Sequence, residues 1–397
     1  MLELAFSGSR RYWKWVGFLM VVIAIGSVFY YLQLEFGLGL TGLSRDVSWG
    51  FYVAQLTFLV GVAASAVMLV LPYYLHNHKQ FGKIVVIGEF VAISAITMCL
   101  LFLFVDLGQP SRALNIFFYP TPNSIIFWDG IVLFGYLTLN LVVGWNVLES
   151  ERNAVAPPFW IKPFIYLSVP WAFAIHTVTA FLYCGLPGRG FWLTAILAPR
   201  FLASAFASGP ALLILLCMIV KKVCGFDAGR KALETLAIIV MYGMLINLFF
   251  LACEMFVAFY SGIPEHTIHF IYLYDGMDGK GNLVIWMRLS LILMLLSGVL
   301  LVIPSIRSNH SLLGITCCMA FVGAWIDKGM GLVSGGFIPS SLHKITEYKP
   351  TVSELIISIG IYAIGLLLLT LLIKIAVGVK EEVFSRKIDL NIENNHG

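Results

Sequence analysis

Long apolar runs, broken by short polar stretches rich in Pro and Gly, recur along the whole 397-residue chain. A helix needs about 20 apolar residues to cross the hydrocarbon layer of a membrane. Ten segments qualify, at approximately 14–36, 49–75, 84–106, 125–147, 163–185, 201–220, 232–260, 283–304, 311–334 and 353–378. The pattern predicts an all-α polytopic membrane protein with a single integral membrane domain over residues 1–378 and a cytoplasmic tail over 379–397. Ten crossings place both termini on one side.

Loop charges choose that side. With the N-terminus inside, the cytoplasmic segments carry fifteen basic residues, Arg10, Arg11, Lys14, Lys79, Lys83, Arg152, Lys162, Lys221, Lys222, Arg230, Lys231, Arg307, Lys380, Arg386 and Lys387. The opposite loops carry seven, Arg45, Arg112, Arg189, Arg200, Lys280, Lys344 and Lys349. The positive-inside rule then gives N-in, C-in. The outer loops are also longer and richer in Pro, Gly and aromatics, as in NIFFYPTPNSIIFW and SGIPEHTIHFIYLYDGMDGKGN, which points to a partner docking outside.

A repeat runs through the spans. GVAASAVM in span two and FLASAFASGPALL in span six are small-residue stretches that let neighbouring helices approach closely. Span three ends at Asp106 and span seven reaches the same side with Glu254. FWDG opens span four and IWMR opens span eight, so Asp129 and Arg288 correspond, and His176 in span five corresponds to Asp327 in span nine. The order predicts two four-helix bundles, spans 2–5 within 48–186 and spans 6–9 within 200–335, with two flanking helices.

Composition sharpens the class. The chain is 60% hydrophobic and 12% charged, against roughly 25% charged in soluble domains. The formal charge of +4 comes from loop residues and gives no reason to expect nucleic acid. The seven cysteines form no CxxC and mostly lie in apolar runs, so they read as small core residues, not as disulfides or metal ligands. MLELAFSGSRRYWKW lacks the cleavage site of a signal peptide.

Chemistry should reside in the ionisable residues inside the membrane, because each costs roughly 2.5–3.5 kcal/mol to insert. They are Glu89, Asp106, Asp129, His176, Glu254, Arg288, Asp327 and Lys328. Asp106 has two readings: a helix-end partner for Arg112 across the turn at Gly108 and Pro110, or an interfacial carboxylate exchanging protons with a bound redox carrier. His176 is the one histidine deep in a span, and a membrane b-haem needs two axial ligands. That argues against haem and leaves a packing role or a hydrogen bond to a quinone carbonyl. Glu254 and Arg288, at similar depth on consecutive helices, predict a structural ion pair. Asp327 and Lys328 point about 100° apart on a helix, so each needs a partner elsewhere. Glu89 reads as a snorkelling side chain or as the mouth of an inward proton path.

DLGQPSR after the third span, SWGFYVAQLTFLVGVAASAVML in the second, HTVTAFLYCGLPGRGFW in the fifth and APRFLASAFASGPALL entering the sixth resemble the polysulfide reductase NrfD family. The wording is closest to the subgroup containing the P subunit of the DsrMKJOP sulfite-reduction complex and the C subunits of the Hmc and Tmc complexes. The resemblance implies a quinone-interacting subunit of an anaerobic respiratory complex in the cytoplasmic membrane, with no haem, iron–sulfur cluster or metal of its own. It implies menaquinone or menaquinol as bound substrate near the outer face. Electrons would pass to a ferredoxin-like iron–sulfur subunit, joined by a multihaem cytochrome c and further membrane and cytoplasmic redox subunits. Asp106 and His176 then take the catalytic places, with Tyr52 and Arg112 completing the quinone site. Glu89, Asp129, Glu254 and Asp327 are the acids of a proton path. Two other readings stay open: a secondary transporter, suggested by repeated bundles and intramembrane charges, and a structural anchor for an outer redox subunit.

Overall fold

The structure, a computed structural model, describes residues 1–63, 69, 81–82 and 84–396, with side chains as far as residue 383. Most of GVAASAVM, the remainder of the second expected span, Lys79 and Lys83 lie outside the described residues, as do the side chains of Arg386 and Lys387.

Among the described residues nine helices are long and apolar enough to cross a membrane, and Phe51–Ala63 is a shorter apolar one. In chain order the helices are α1 (Arg10–Phe36), α2 (Phe51–Ala63), α3 (Val85–Asp106), α4 (Ile125–Arg152), α5 (Lys162–Cys184) and α6 (Leu197–Cys224). They continue with α7 (Arg230–Ser261), the short α8 (Pro264–Tyr274), α9 (Val284–Val302), α10 (His310–Ile326), α11 (Leu332–Phe337) and α12 (Val352–His396). A π-helical turn, Asp327–Gly331, joins α10 to α11 without a break in the rod. Local chemistry sets several ends. Asn309 caps α10 through the amides of Ser311 and Leu312, and Gly225 and Gly262 close α6 and α7 in the left-handed conformation.

Helices α2 to α5 pack as one four-helix group and α6, α7, α9 and α10 as a second. The seam between them is made by α2 and α5 against α6, and by α2 against the π turn. The two bundles and two flanking helices expected from the repeat are therefore present. α1 and α12 lie together outside the first bundle, with α12 also packed on α3 and α4. Burial follows this layout: in the most apolar window of α3 78% of residues are buried, in that of α1 only 11%. The buried positions of α1 are Leu19, Gly26 and Gln33, spaced by two turns along one face.

Ion pairs Arg152–Glu382 and Lys380–Glu151 tie α12 to α4 on the face opposite Asp106, where the N-terminal segment also lies, Arg152 reaching Glu3. Both termini thus share that face. α12 runs on to His396, through the residues 379–396 of the expected tail.

Candidate functional site

Asp106 is the last residue of α3; the chain then turns extended at Leu107 and enters the short Pro110–Arg112 helical turn. One of its carboxylate oxygens, Oδ1, is buried and has no hydrogen-bond partner. Arg112 is exposed on that turn and forms no ion pair among the described residues, so of the two readings of Asp106 the pairing with Arg112 does not form.

Around Asp106 a network fixes the ends of α1, α2, α3 and α12. Gln33, 4% exposed on a mostly exposed helix, donates from Nε2 to the Val105 carbonyl at 2.7 Å and accepts from the Tyr52 hydroxyl at 2.8 Å. A free carbonyl at the end of α3 is thereby satisfied. The Tyr30 hydroxyl on α1 is buried without a partner. Behind Tyr52, Glu354 is fully buried and accepts from the Gly42 and Thr351 amides, each at 2.8 Å, and from the Tyr348 hydroxyl at 2.6 Å. Tyr348 in turn accepts from the Phe51 amide at 2.8 Å, so α12 holds the start of α2 in place. The structure therefore gathers Asp106 and Tyr52 into one neighbourhood.

His176 lies apart from it. The ring is fully buried eight residues before the end of α5, about 12 Å of helix, and Nδ1 meets the Ala172 carbonyl at 2.7 Å. A carbonyl only accepts, so Nδ1 carries the proton and Nε2, which has no partner, presents a bare lone pair. His176 shares no hydrogen bond with Asp106, and the Lys328 ammonium at the seam between the bundles lies within electrostatic range of it. Asp129 is buried on α4 and accepts from the Thr179 hydroxyl at 2.7 Å. Glu89 is 1% exposed with both oxygens unpartnered, so it does not snorkel. It packs against α4 where Gly144 leaves room; a Cβ there would lie 3.0 Å from Oε2.

The second bundle holds an ion cluster that the sequence reading does not assemble. Arg200, in the first turn of α6, grips both oxygens of Asp327 at 2.8 Å with one nitrogen and binds Glu254 with another. The expected Glu254–Arg288 pair does not form. Arg288 is exposed on another face of α9 and binds Asp275 at 3.1 Å and the Tyr274 carbonyl at 2.7 Å. Depth alone does not choose a partner; rotation about the helix axis does. Lys328 turns the other way from Asp327, as expected, and its ammonium sits 4.2 Å over the Phe201 ring and 3.4 Å from the Phe201 carbonyl. Two cavities of about 10 Å³ each, room for one water molecule, adjoin the Arg200–Asp327 pair and share Leu332 as lining. Asn247, whose Oδ1 has no partner, lines one of them with Lys328.

Arg200 is the principal residue missed. Its APR context stands just ahead of the small-residue stretch and so reads as loop, whereas α6 begins at Leu197. The start of the apolar run three residues earlier is the available signal.

Comparison with known proteins agrees with this architecture. The family described as "Polysulphide reductase, NrfD" matches residues 39–339. The chain is 24% identical to a putative dimethyl sulfoxide reductase membrane subunit of Halobacterium salinarum, covering 89% of this chain and 88% of that protein. It is 23% identical to an Hdr-like menaquinol oxidoreductase integral membrane subunit of Archaeoglobus fulgidus, covering 96% and 97%. It is 22% identical to a menaquinone reductase integral membrane subunit of Nitratidesulfovibrio vulgaris, covering 91% and 90%.

Proposed function

The chain belongs to the polysulphide reductase NrfD family, and from that premise we propose that it is the quinone-interacting membrane subunit of a respiratory redox complex. Menaquinone or menaquinol is its lipophilic substrate, and an iron–sulfur subunit docked on the Asp106 face is its electron partner. With the loop charges setting N-in and C-in, that face is extracytoplasmic and the membrane is the cytoplasmic one. The relatives support the substrate, since two of them are named for menaquinol or menaquinone oxidoreduction. The HTVTAF and ASAFASGPALL wording supports the finer reading of a sulfite-reduction-linked complex with a multihaem cytochrome c among its subunits.

One observation carries the site: a buried carboxylate oxygen of Asp106, at the membrane edge, with nothing bound to it. Such a group is left unsatisfied at a cost unless a ligand or a proton completes it. Oxidising a quinol removes two electrons and two protons. The electrons leave for the partner's cluster, and the two protons leave in turn through a carboxylate at the ring's oxygen, which releases each to the water at that face. Reduction runs the same steps backwards, and the potentials of the partners set the direction.

Within this reading Tyr52 shapes the rim through its bond to Gln33, and Arg112 faces the docking surface. His176 supplies a buried acceptor deeper in the domain. Glu89 and Asp129 are the acids best placed for a proton route through the first bundle, while the hold of Arg200 on Glu254 and Asp327 supports a structural role for those two. The test is menaquinol-dependent reduction of the partner by the intact complex. Asp106→Asn is expected to lower the rate about 10²-fold or more. A wild-type rate in both Asp106→Asn and His176→Ala would falsify the assignment.

A further inference from the structure

The match to the family begins at residue 39, so it leaves out α1 entirely. Yet α1 contributes two polar side chains to the Asp106 neighbourhood. Gln33 is held there, with one amide N–H on the Val105 carbonyl and its oxygen accepting from the Tyr52 hydroxyl. Tyr52 has spent its one proton on that bond. Tyr30 lies three residues before Gln33, one turn along the same helix, and its ring centroid is 6.1 Å from that of Phe104 on α3. Its hydroxyl is buried and unpartnered, as is Oδ1 of Asp106, and both groups lie within electrostatic range of the Tyr52 hydroxyl. A phenol that bonds nothing gains nothing over Phe on a helix facing lipid. A donor and an acceptor, both free, therefore lie in the neighbourhood of the Tyr52 hydroxyl, beside a face of α1 that exposes Val28, Tyr31 and Leu34.

We propose that Tyr30 is the hydrogen-bond donor to a quinone carbonyl at the Asp106 rim, so that the flanking helix α1 completes the site. This rests on the functional reading above. The ligand class follows from the groups: an oxygen acceptor for the phenol, a proton-exchanging oxygen for the carboxylate, and a hydrophobic body that reaches both from the lipid side.

The experiment uses the intact complex in nanodiscs with menaquinone-4 carrying ¹³C-labelled carbonyls. Isotope-edited infrared difference spectra report the carbonyl hydrogen bonds, and a titration reports the Kd. In the wild type one carbonyl band is expected at lower frequency. In Tyr30→Phe, which removes one oxygen atom, that band should move back up and the Kd should rise about five- to tenfold. Tyr31→Phe, altering the neighbouring lipid-facing phenol, should change neither. A carbonyl band and Kd unchanged in Tyr30→Phe, with binding weakened in Asp106→Asn, overturn the role of Tyr30 and leave the rim reading standing. Binding unweakened in both variants removes the rim reading and this inference with it.

Discussion

At the scale of single residues, the buried charges are fixed by hydrogen bonds that only certain partners can make. Arg200 offers a planar fork, and Asp327 takes one of its nitrogens on both oxygens while Glu254 takes the other. Removing the cation leaves two carboxylates buried without compensation, which costs about 3–5 kcal/mol in comparable sites. Arg200→Leu is therefore expected to lower the melting temperature of the purified protein in detergent by many degrees, with Glu254→Gln showing a smaller loss. Equal melting of Arg200→Leu and the wild type would show that the cluster contributes nothing to stability. In the loops the electrostatics are gentler. Hydrogen bonds from Lys344 and then Thr346 hold the Asp46 carboxylate below its ordinary value of 3.8. A lowered folded value means that the stabilisation is present above the ordinary value and is lost as pH falls through the folded one. The difference in melting between wild type and Asp46→Asn should therefore be constant near neutrality and shrink once the pH falls below about 4.

At the scale of elements, two features depend on backbone approach. α1 and α12 cross with Gly26 against Gly360; a Cβ on Gly26 would lie 2.8 Å from the Gly360 Cα. Gly26→Leu has no flexible neighbour to displace, so the helices must separate, at about 1–3 kcal/mol. On the proposed reading α1 carries Tyr30 and Gln33 to the quinone site, so the same change should also weaken quinone binding. Gly17 has no atom within 4 Å of an added Cβ, so Gly17→Ala serves as the control and should leave binding unchanged without lowering the melting temperature. The second feature is the π turn at Asp327–Gly331. Wide turns of this kind are frequent at functional sites. Here the turn lets consecutive residues face two different neighbours, Asp327 the Arg200 guanidinium and Lys328 the Phe201 ring.

At the scale of the whole molecule, the arrangement assigns faces that labelling can check. Cys224 is exposed at the end of α6 on the face that carries Lys221 and Lys222. Arg112 is exposed on the other face. With N-in and C-in, a membrane-impermeant maleimide added to intact cells should label Arg112→Cys in a Cys224→Ser background and should leave Cys224 untouched until the membrane is opened. The reverse pattern would turn the molecule over and move the Asp106 rim to the cytoplasm. The two bundles were legible because each of their spans is announced by its own apolar run. The small residues of α6, Ala203 to Gly209, also mark a helix that others can approach, as Gly243 of α7 does against Ala207. The place of Asp106 at the end of α3 was legible because the apolar run stops there. The Arg200 cluster was not, since Arg200 stands at a boundary and sequence rules place boundaries within several residues only.

The amino-acid sequence by itself determined the apolar spans, their order and the grouping into bundles, because crossing hydrocarbon demands long apolar helices and penalises every charge within them. Tertiary structure alone decided which polar groups meet. A helix that is apolar on all sides carries no signal of its rotation, so packing sets the azimuth at which Glu254 finds Arg200, Gln33 finds Tyr52, and Asp106 and Tyr30 are left facing an unfilled bond.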